Sequence, residues 1–412
     1  MNGPLAGLRG IVLTQAWAGS YCTSLLGLMG ADVVQIEVRM RPDSWRGAYD
    51  GPLPARLKDV ATAEHPWNCN FLYNSVNLNK RCITLDLQKP AGIETFRRLL
   101  PFADFVAENF SPRVLGNLGI DYEAMKAIKP DVILCSLSAY GHSGPWANVP
   151  GIGGTIEPTS GMSALLGYPG EGPLNSGQMY PDAVAGMNAF GAIIAAIHHR
   201  NRTGEGQYID LSQAECSQQF IAPALLDFQV NGRILKRNGN ASAIHAPHGV
   251  FQCAGDDKWV AIAVENAAQW HGLREALGNP EWAANSALES AAGRLAAQAE
   301  LERRIGEWTA SRRQDEVESV LQGCGVPAFR SATSEDLLAD PQLAHRRHFI
   351  EVAHAAHGPV TIENSRFILS DTPADIRRAG PVYGQDNEYV LRDLLGLSED
   401  EVVEYLAAGA VE

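Results

Sequence analysis

The first 140 residues alternate short β-branched runs with helical spacing, and few folds accommodate that order. Residues 11–14 form an apolar run directly after Arg9-Gly10. Residues 20–29 place apolar side chains at helical intervals and stop at Gly30, a residue suited to closing a helix. Residues 32–37 read as the next strand, and 82–87, 104–107 and 131–137 as further strands, with helices at 91–100 and 122–128. Strands alternating with helices of this length predict βαβ units on a parallel sheet.

The rest of the chain is less uniform. Residues 39–67 are rich in Pro, Gly, Arg and Asp and read as an excursion or lid. Residues 141–181 are rich in Gly, Pro and Ser with little periodicity, and so long a stretch without regular structure is usually functional. The strongest helical pattern is 182–200. A strand at 207–211 follows the turn Thr203-Gly204-Glu205-Gly206, and a second helix spans 212–230. The character then changes. Residues 249–253 and 259–264 flank Gly255-Asp256-Asp257, a hairpin signal, and helical patterns follow at 268–277, 296–309 and 314–322. These mark a smaller domain at 235–325, between a first large part at 1–230 and a return at 326–412. The return carries a short helix at 334–338, strand-like segments near 349–353 and 360–362, and a polar terminal helix.

Composition removes several classes of function. Thirty-three basic against 47 acidic residues give a net charge of −14, so whole-surface binding to nucleic acid or anionic membrane is disfavoured. The longest apolar stretch, 183–197, is shorter than the roughly 20 residues a membrane span needs, and reads as a buried helix. The opening Met1-Asn2-Gly3-Pro4 has no basic region before an apolar core, so no secretory leader is expected. Seven scattered cysteines without a C-x-x-C spacing argue against a zinc knuckle or a disulfide framework, and fit a reducing cytoplasm. The eleven histidines contain no H-E-x-x-H, and no metal is expected.

Two familiar chemistries also fail. The first turn, Gln15-Ala16-Trp17-Ala18-Gly19-Ser20, lacks the glycines of a dinucleotide fingerprint, and Gly151-Ile152-Gly153-Gly154 follows no clear strand. Gly141-His142-Ser143-Gly144-Pro145 resembles a nucleophile elbow, but Pro145 stands where glycine is required. His198-His199-Arg200 end a helix, where they complement its dipole. Asp182 is more unusual, an acid at the end of a Gly-rich loop directly before an apolar helix. It reads either as a helix N-cap or as a nucleophilic carboxylate kept ionised by helix N–H groups.

Several segments in sequence resolve that ambiguity. They are Leu5-Ala6-Gly7-Leu8-Arg9-Gly10, Gly30-Ala31-Asp32-Val33-Val34, Asn79-Lys80-Arg81-Cys82 and Glu108-Asn109-Phe110. Ser138-Ala139-Tyr140-Gly141, Thr203-Gly204-Glu205-Gly206-Gln207, Asp340-Pro341-Gln342-Leu343 and Leu394-Leu395-Gly396-Leu397 follow. Together they resemble the family III CoA-transferases, a group that includes formyl-CoA, carnitine-CoA and benzylsuccinate-CoA transferases and α-methylacyl-CoA racemases. The resemblance implies a Rossmann-like parallel-sheet large domain, a smaller α+β domain and an interlocked homodimer. It places the catalytic aspartate at Asp182 and implies acyl-CoA and carboxylic acid substrates, with coenzyme A as a substrate and no permanently bound cofactor. It assigns Arg39, Asn79, Lys80, Arg81, Asn109 and Phe110 to the nucleotide, and Gln15, Trp17, Ala18 and Tyr140 to the acyl pocket.

The chain departs from formyl-CoA transferase at two family cations, where Asn117 and Ser138 stand, and Arg113 is a nearby substitute. Trp17 replaces a glutamine of that enzyme, which argues against so small a substrate. The alternative chemistry is α-methylacyl-CoA racemisation, which needs a histidine at the position held by Ile152. An isoleucine moves no proton, so transfer is the expected reaction.

Overall fold

Six strands pair in parallel in the order β3-β2-β1-β4-β5-β6. They are β1 (Arg9–Leu13), β2 (Asp32–Glu37), β3 (Lys80–Thr84), β4 (Phe105–Glu108), β5 (Ile133–Ser138) and β6 (Tyr208–Ser212). This is the order of a Rossmann sheet, and the direction of winding reverses between β1 and β4. The computed structural model describes residues 3–47, 65–356 and 358–412, so positions 48–64 of the expected lid lie outside the described residues.

The sheet is covered on both faces, which is why its strands read as unbroken apolar runs. Alternate residues of β1 divide between two cores. Ile11 and Leu13 face Val34, Ile83, Phe96, Leu99 and Val106, whereas Val12 faces Cys22, Leu26, Ala189 and Ile193. The second core belongs to two packed helices, Ala18–Leu28 and Tyr180–Thr203. Gly186 explains their close approach. A β-carbon there would stand 2.7 Å from the Ala18 carbonyl oxygen, so only glycine lets the two first turns meet. Among the described residues only the Tyr180–Thr203 helix is long and apolar enough to cross a membrane, and it serves as this core helix.

The chain divides into two units. The first comprises Met1–Met162, Asn175–Gly232 and Gln342–Glu412, and holds the parallel sheet and the hairpin of β10 (Phe349–His354) and β11 (Gly358–Glu363). The second comprises Ser163–Leu174 and Arg233–Pro341. It contains an antiparallel sheet of β7 (His248–Gln252), β8 (Trp259–Ala263) and β9 (Ala328–Arg330), with helices packed around Trp270, Leu301, Ile305 and Val317. It extends beyond the expected 235–325 because β9 completes its sheet, pairing Ala328 with Ile262. Residues 163–174 join it because the Arg237 guanidinium donates to the carbonyls of Glu171 and Ala164.

Two local expectations are corrected. The stretch 141–181 is not structureless, since it contains helices at Gly153–Thr159 and Met162–Leu165. Two glycines and an internal Pro158 hide the first from a propensity reading. The single helix expected at 212–230 is three pieces, Gln213–Gln218, a tight turn at Gln219–Ile221, and Ala222–Asn231. Pro223 begins the last piece because it cannot donate within a continuing helix.

Candidate active site

In a sheet wound this way, ligands bind outside the carboxyl ends of the strands at the reversal. Here that place lies beyond Leu13 of β1 and Glu108 of β4. Two of the expected site residues meet there. The Gln15 N–H donates to Asn109 Oδ1 at 2.8 Å, and Asn109 Nδ2 donates back to the Gln15 carbonyl at 2.8 Å. The next residue, Ala16, adopts a left-handed backbone (φ 54°) that a side chain disfavours. Its N–H donates to both carboxylate oxygens of the buried Asp43, each at 3.0 Å. Trp17 follows, its ring 5.6 Å from that of Trp45, and then Ala18 opens the first helix.

Asp182 reaches the same place from the other side. It is not the helix N-cap. That position is Met179, again left-handed (φ 49°), and Asp182 lies within the first turn of the Tyr180–Thr203 helix. Asp182 and Gly186 are four residues apart and share a helix face, so the glycine contact with Ala18 carries the carboxylate to the start of the first helix. Burial raises the Asp182 pKa to about 6, opposed by the nearby backbone N–H groups of Ala18, Asp182 itself and Gly153. Desolvation therefore outweighs the N–H groups that were expected to keep the acid ionised, although a pKa near 6 still leaves it mostly charged at neutral pH. Among the described residues no cation pairs with it. Gly153 stands so close that a β-carbon would overlap Asp182 Oδ2.

The loop before Asp182 is fixed to the same short helix. The buried Glu157 accepts from the Ser176 N–H at 2.6 Å and its hydroxyl at 2.9 Å, and Asn175 Nδ2 donates to the Gly154 carbonyl at 2.9 Å. Tyr140 closes the neighbouring wall. Its hydroxyl lies 3.3 Å from Thr159 Oγ1, and its ring meets Trp146 edge-on at 5.3 Å. Ile152 caps the Gly153–Thr159 helix and is exposed. Behind Tyr140, the His142 N–H donates to Asp210 at 2.9 Å and the Tyr208 hydroxyl pairs with His142 Nδ1 at 2.9 Å. Burial pushes the nearby Glu108 up to about 7 and holds His142 below its ordinary value.

The expected nucleotide residues separate into two groups. Asn109 lies at the site, and Phe110 beside it donates its N–H to Glu108 at 2.7 Å. Arg113 is exposed on the following turn, and Arg39, just past β2, pairs with Glu412 (Nε to Oε2 3.7 Å). Asn79, Lys80 and Arg81 require correction. They stand where β3 begins, and every strand of a parallel sheet begins at the edge opposite its carboxyl ends. Lys80 is fully buried, donating to Asn77 Oδ1 at 2.8 Å. Arg81 is held by Asp32 at 2.8 Å and Asp386 at 3.2 Å and stacks on Tyr389. Asn79 fastens the C-terminal segment, accepting from the N–H groups of Arg377 and Arg378 and donating to the Asp375 carbonyl. In this chain these three residues tie the fold together and do not line the strand ends.

Sequence reasoning missed Asp43, Gly153 and Glu157. In sequence Gly153 reads as part of an ordinary turn and as the neighbour of Ile152. Asp43 and Glu157 carry no motif, and only the fold brings Asp43 to Ala16 and Glu157 to Ser176.

Comparison with known proteins gives the family. The family described as CoA-transferase family III matches residues 5–387. The chain belongs to that family. It is 31% identical to the succinyl-CoA–D-citramalate CoA-transferase of Chloroflexus aurantiacus, over 97% of this chain and 96% of that one. It is 30% identical to the succinate–glutarate CoA-transferase of Agrobacterium fabrum, over 95% and 96% of the two chains. Among solved structures, a CAIB/BAIF family protein from Brucella suis superposes with a TM-score of 0.83 at 30% identity, covering 96% of this chain and 100% of that one. The chain is therefore a CoA-transferase, an enzyme that exchanges CoA between an acyl-CoA and a carboxylic acid.

Proposed function

We propose that the exchange runs through covalent intermediates on Asp182. The carboxylate attacks the thioester carbonyl of the donor, forming a mixed anhydride and expelling the CoA thiolate. The thiolate attacks the aspartyl carbonyl, releases the donor acid and leaves a β-aspartyl-CoA thioester. The acceptor carboxylate attacks that thioester, expelling the thiolate and forming a second anhydride. The thiolate then takes the acceptor acyl group and frees Asp182. One difficult exchange becomes four displacements, each made effectively unimolecular by held CoA.

The observation that carries this reading is the setting of Asp182. It is desolvated, faces backbone N–H groups from three segments, and pairs with no cation among the described residues. Such a carboxylate is ionised at neutral pH and less shielded than one in water. The same N–H groups are suited to stabilising an oxyanion as the aspartyl carbonyl is attacked. Asp182→Ala should lower exchange by at least about 10⁴-fold, as removal of a covalent nucleophile does, while acyl-CoA binding measured by calorimetry persists. Retained turnover would exclude the mechanism. Racemisation has less support, because Ile152 occupies the position its histidine would need.

The two curated relatives above are both named for a succinyl or succinate partner, which supports succinyl-CoA as the donor. Trp17 with Trp45 and Tyr140 with Trp146 form aromatic walls suited to an acid larger than formate or oxalate. Of the cations assigned to the CoA phosphates, Arg39 and Arg113 remain at the strand-end side. The active assembly is an interlocked homodimer in this reading. The Ala222–Asn231 helix supports it, since it buries nothing in one chain and exposes Leu225, Leu226, Phe228 and Val230. A monomer by light scattering would contradict it. The seven unpaired cysteines fit a reducing cytoplasm.

A further inference from the structure

Asp43 lies outside the chemistry just described, yet it grips the loop that joins β1 to the helix beginning at Ala18. Its carboxylate is 3% exposed and accepts from Ala16 through both oxygens at 3.0 Å and from the Trp45 N–H at 2.8 Å. Ala16 is one of the non-glycine residues with positive φ, and a left-handed alanine persists only where its surroundings hold it. Asn109 already holds Gln15, one residue earlier. Two residues later, Ala18 opens the helix that packs against Gly186, one turn beyond Asp182, and its backbone N–H lowers the Asp182 pKa. The loop is therefore clamped by one amide and one carboxylate, and it leads into the helix whose start packs beside Asp182.

We propose that Asp43 is a positioning residue for the transfer reaction, whose ionised carboxylate holds Ala16 left-handed and thereby keeps the Trp17–Ala18 start of the first helix in place against the helix that carries Asp182. This rests on the reading of Asp182 as the nucleophile. A neutral Asp43 keeps its carbonyl oxygen for Ala16 but loses the second acceptor and the negative charge that strengthens both bonds, so the clamp loosens on protonation. The charged groups around Asp43 come from four places. Glu37 at the end of β2 repels its charge and Arg46 on its own loop attracts it. The buried Lys80 on β3 and the Tyr383 hydroxyl of the C-terminal segment also interact with it. Burial, the largest influence, raises Asp43 to about 6, close to the value for Asp182. Two carboxylates must then be ionised for turnover, and the acidic limb of kcat falls more steeply than a single ionisation allows.

The test is kcat and KM for CoA exchange across pH 5–8 in the full-length enzyme and four variants: Asp182→Ala, Asp43→Asn, Ala16→Gly, and the double Asp43→Asn with Ala16→Gly. An asparagine sets an N–H against the Ala16 N–H, so Asp43→Asn should lower kcat about 30-fold at pH 8 and change KM for the acyl-CoA less than about threefold. Glycine adopts the left-handed conformation without a clamp, so the double variant should recover at least about fivefold of that loss. For the same reason Ala16→Gly alone should show a single-ionisation acidic limb, a readout available even if Asp43→Asn fails to fold. An unchanged kcat in Asp43→Asn overturns the proposal. So does a folded Asp43→Asn variant that glycine does not rescue, or a two-ionisation limb that persists in Ala16→Gly. Continued exchange by Asp182→Ala would instead remove the reading on which the proposal rests.

Discussion

At the edge where the strands begin, Asp32 accepts from Arg9 at 2.9 Å and Arg81 at 2.8 Å, and Asp386 binds Arg81 and the Arg378 guanidinium. At the edge where they end, Asp43 and Asp182 are fed by backbone N–H groups, and left-handed Ala16 and Met179 stand beside them. Both edges bury carboxylates, so burial alone raises the pKa at each. At Asp32 the hydrogen bonds and charges of Arg9 and Arg81 outweigh that burial and hold the group below its ordinary value. At Asp43 and Asp182 burial prevails and lifts both to about 6.

Asp32 on one side and Asp43 and Asp182 on the other therefore respond to pH with opposite signs. The Asp32 contribution to stability is present above the ordinary carboxylate pKa and is lost as pH falls through its depressed folded value. Asp43 and Asp182 bind protons more tightly folded than unfolded, so their ionisation reduces stability as pH rises toward about 6. Asp32 and Asp386 spend their charge on holding arginines; among the described residues Asp43 and Asp182 have no such partner within hydrogen-bonding reach, although Glu37 at the end of β2 is itself paired with the buried Arg46 at 2.7 Å. That is the difference between a structural ion-pair network and a site.

Three substitutions sharpen this comparison. Gly153→Ala places a methyl against Asp182 Oδ2. It should lower kcat about 100-fold, the effect of losing one aligned donor, with a melting temperature close to wild type. An active Gly153→Ala enzyme would mean that Asp182 reacts from another arrangement. Asp386→Asn at the opposite edge should do the reverse. It leaves Arg81 and Arg378 short of a partner, and denaturant unfolding should show a loss of about 2 kcal/mol with kcat within a factor of about two. A specific loss of kcat at full stability would break the division between the edges. The smallest effect is expected at Lys80, whose ammonium burial lowers to about 7. Lys80→Met should leave KM for the acyl-CoA within about twofold, since the ammonium is fully buried between Asn77 and Gln35, with Asp43 acting on it through charge, and reaches no surface; a tenfold rise would return it to the nucleotide site.

The strand–helix alternation was legible because both faces of the sheet are buried, which writes the strands as apolar runs such as Ile11–Leu13. Asp182 was legible because it follows a Gly-rich loop and opens the strongest helix, and the resemblance then gave it a role. What surrounds it was not legible. Ala16 and Met179 have no residue type that announces a left-handed backbone, and Asp43 is brought to Ala16 only by folding. Lys80 and Arg81 misled for a physical reason. Cations in a motif look like phosphate ligands until the partners are known, and Asp386 lies 305 residues beyond Arg81 in sequence.

The central claim is the covalent role of Asp182, and the most direct measurement is mass spectrometry of the purified enzyme quenched after mixing with succinyl-CoA in deuterated water. The account predicts a CoA adduct confined to the peptide carrying Asp182, together with recovered acyl-CoA that has taken up no deuterium at its α-carbon. Deuterium at that carbon with no adduct on Asp182 would contradict it, and would mean that this fold is moving protons instead of CoA.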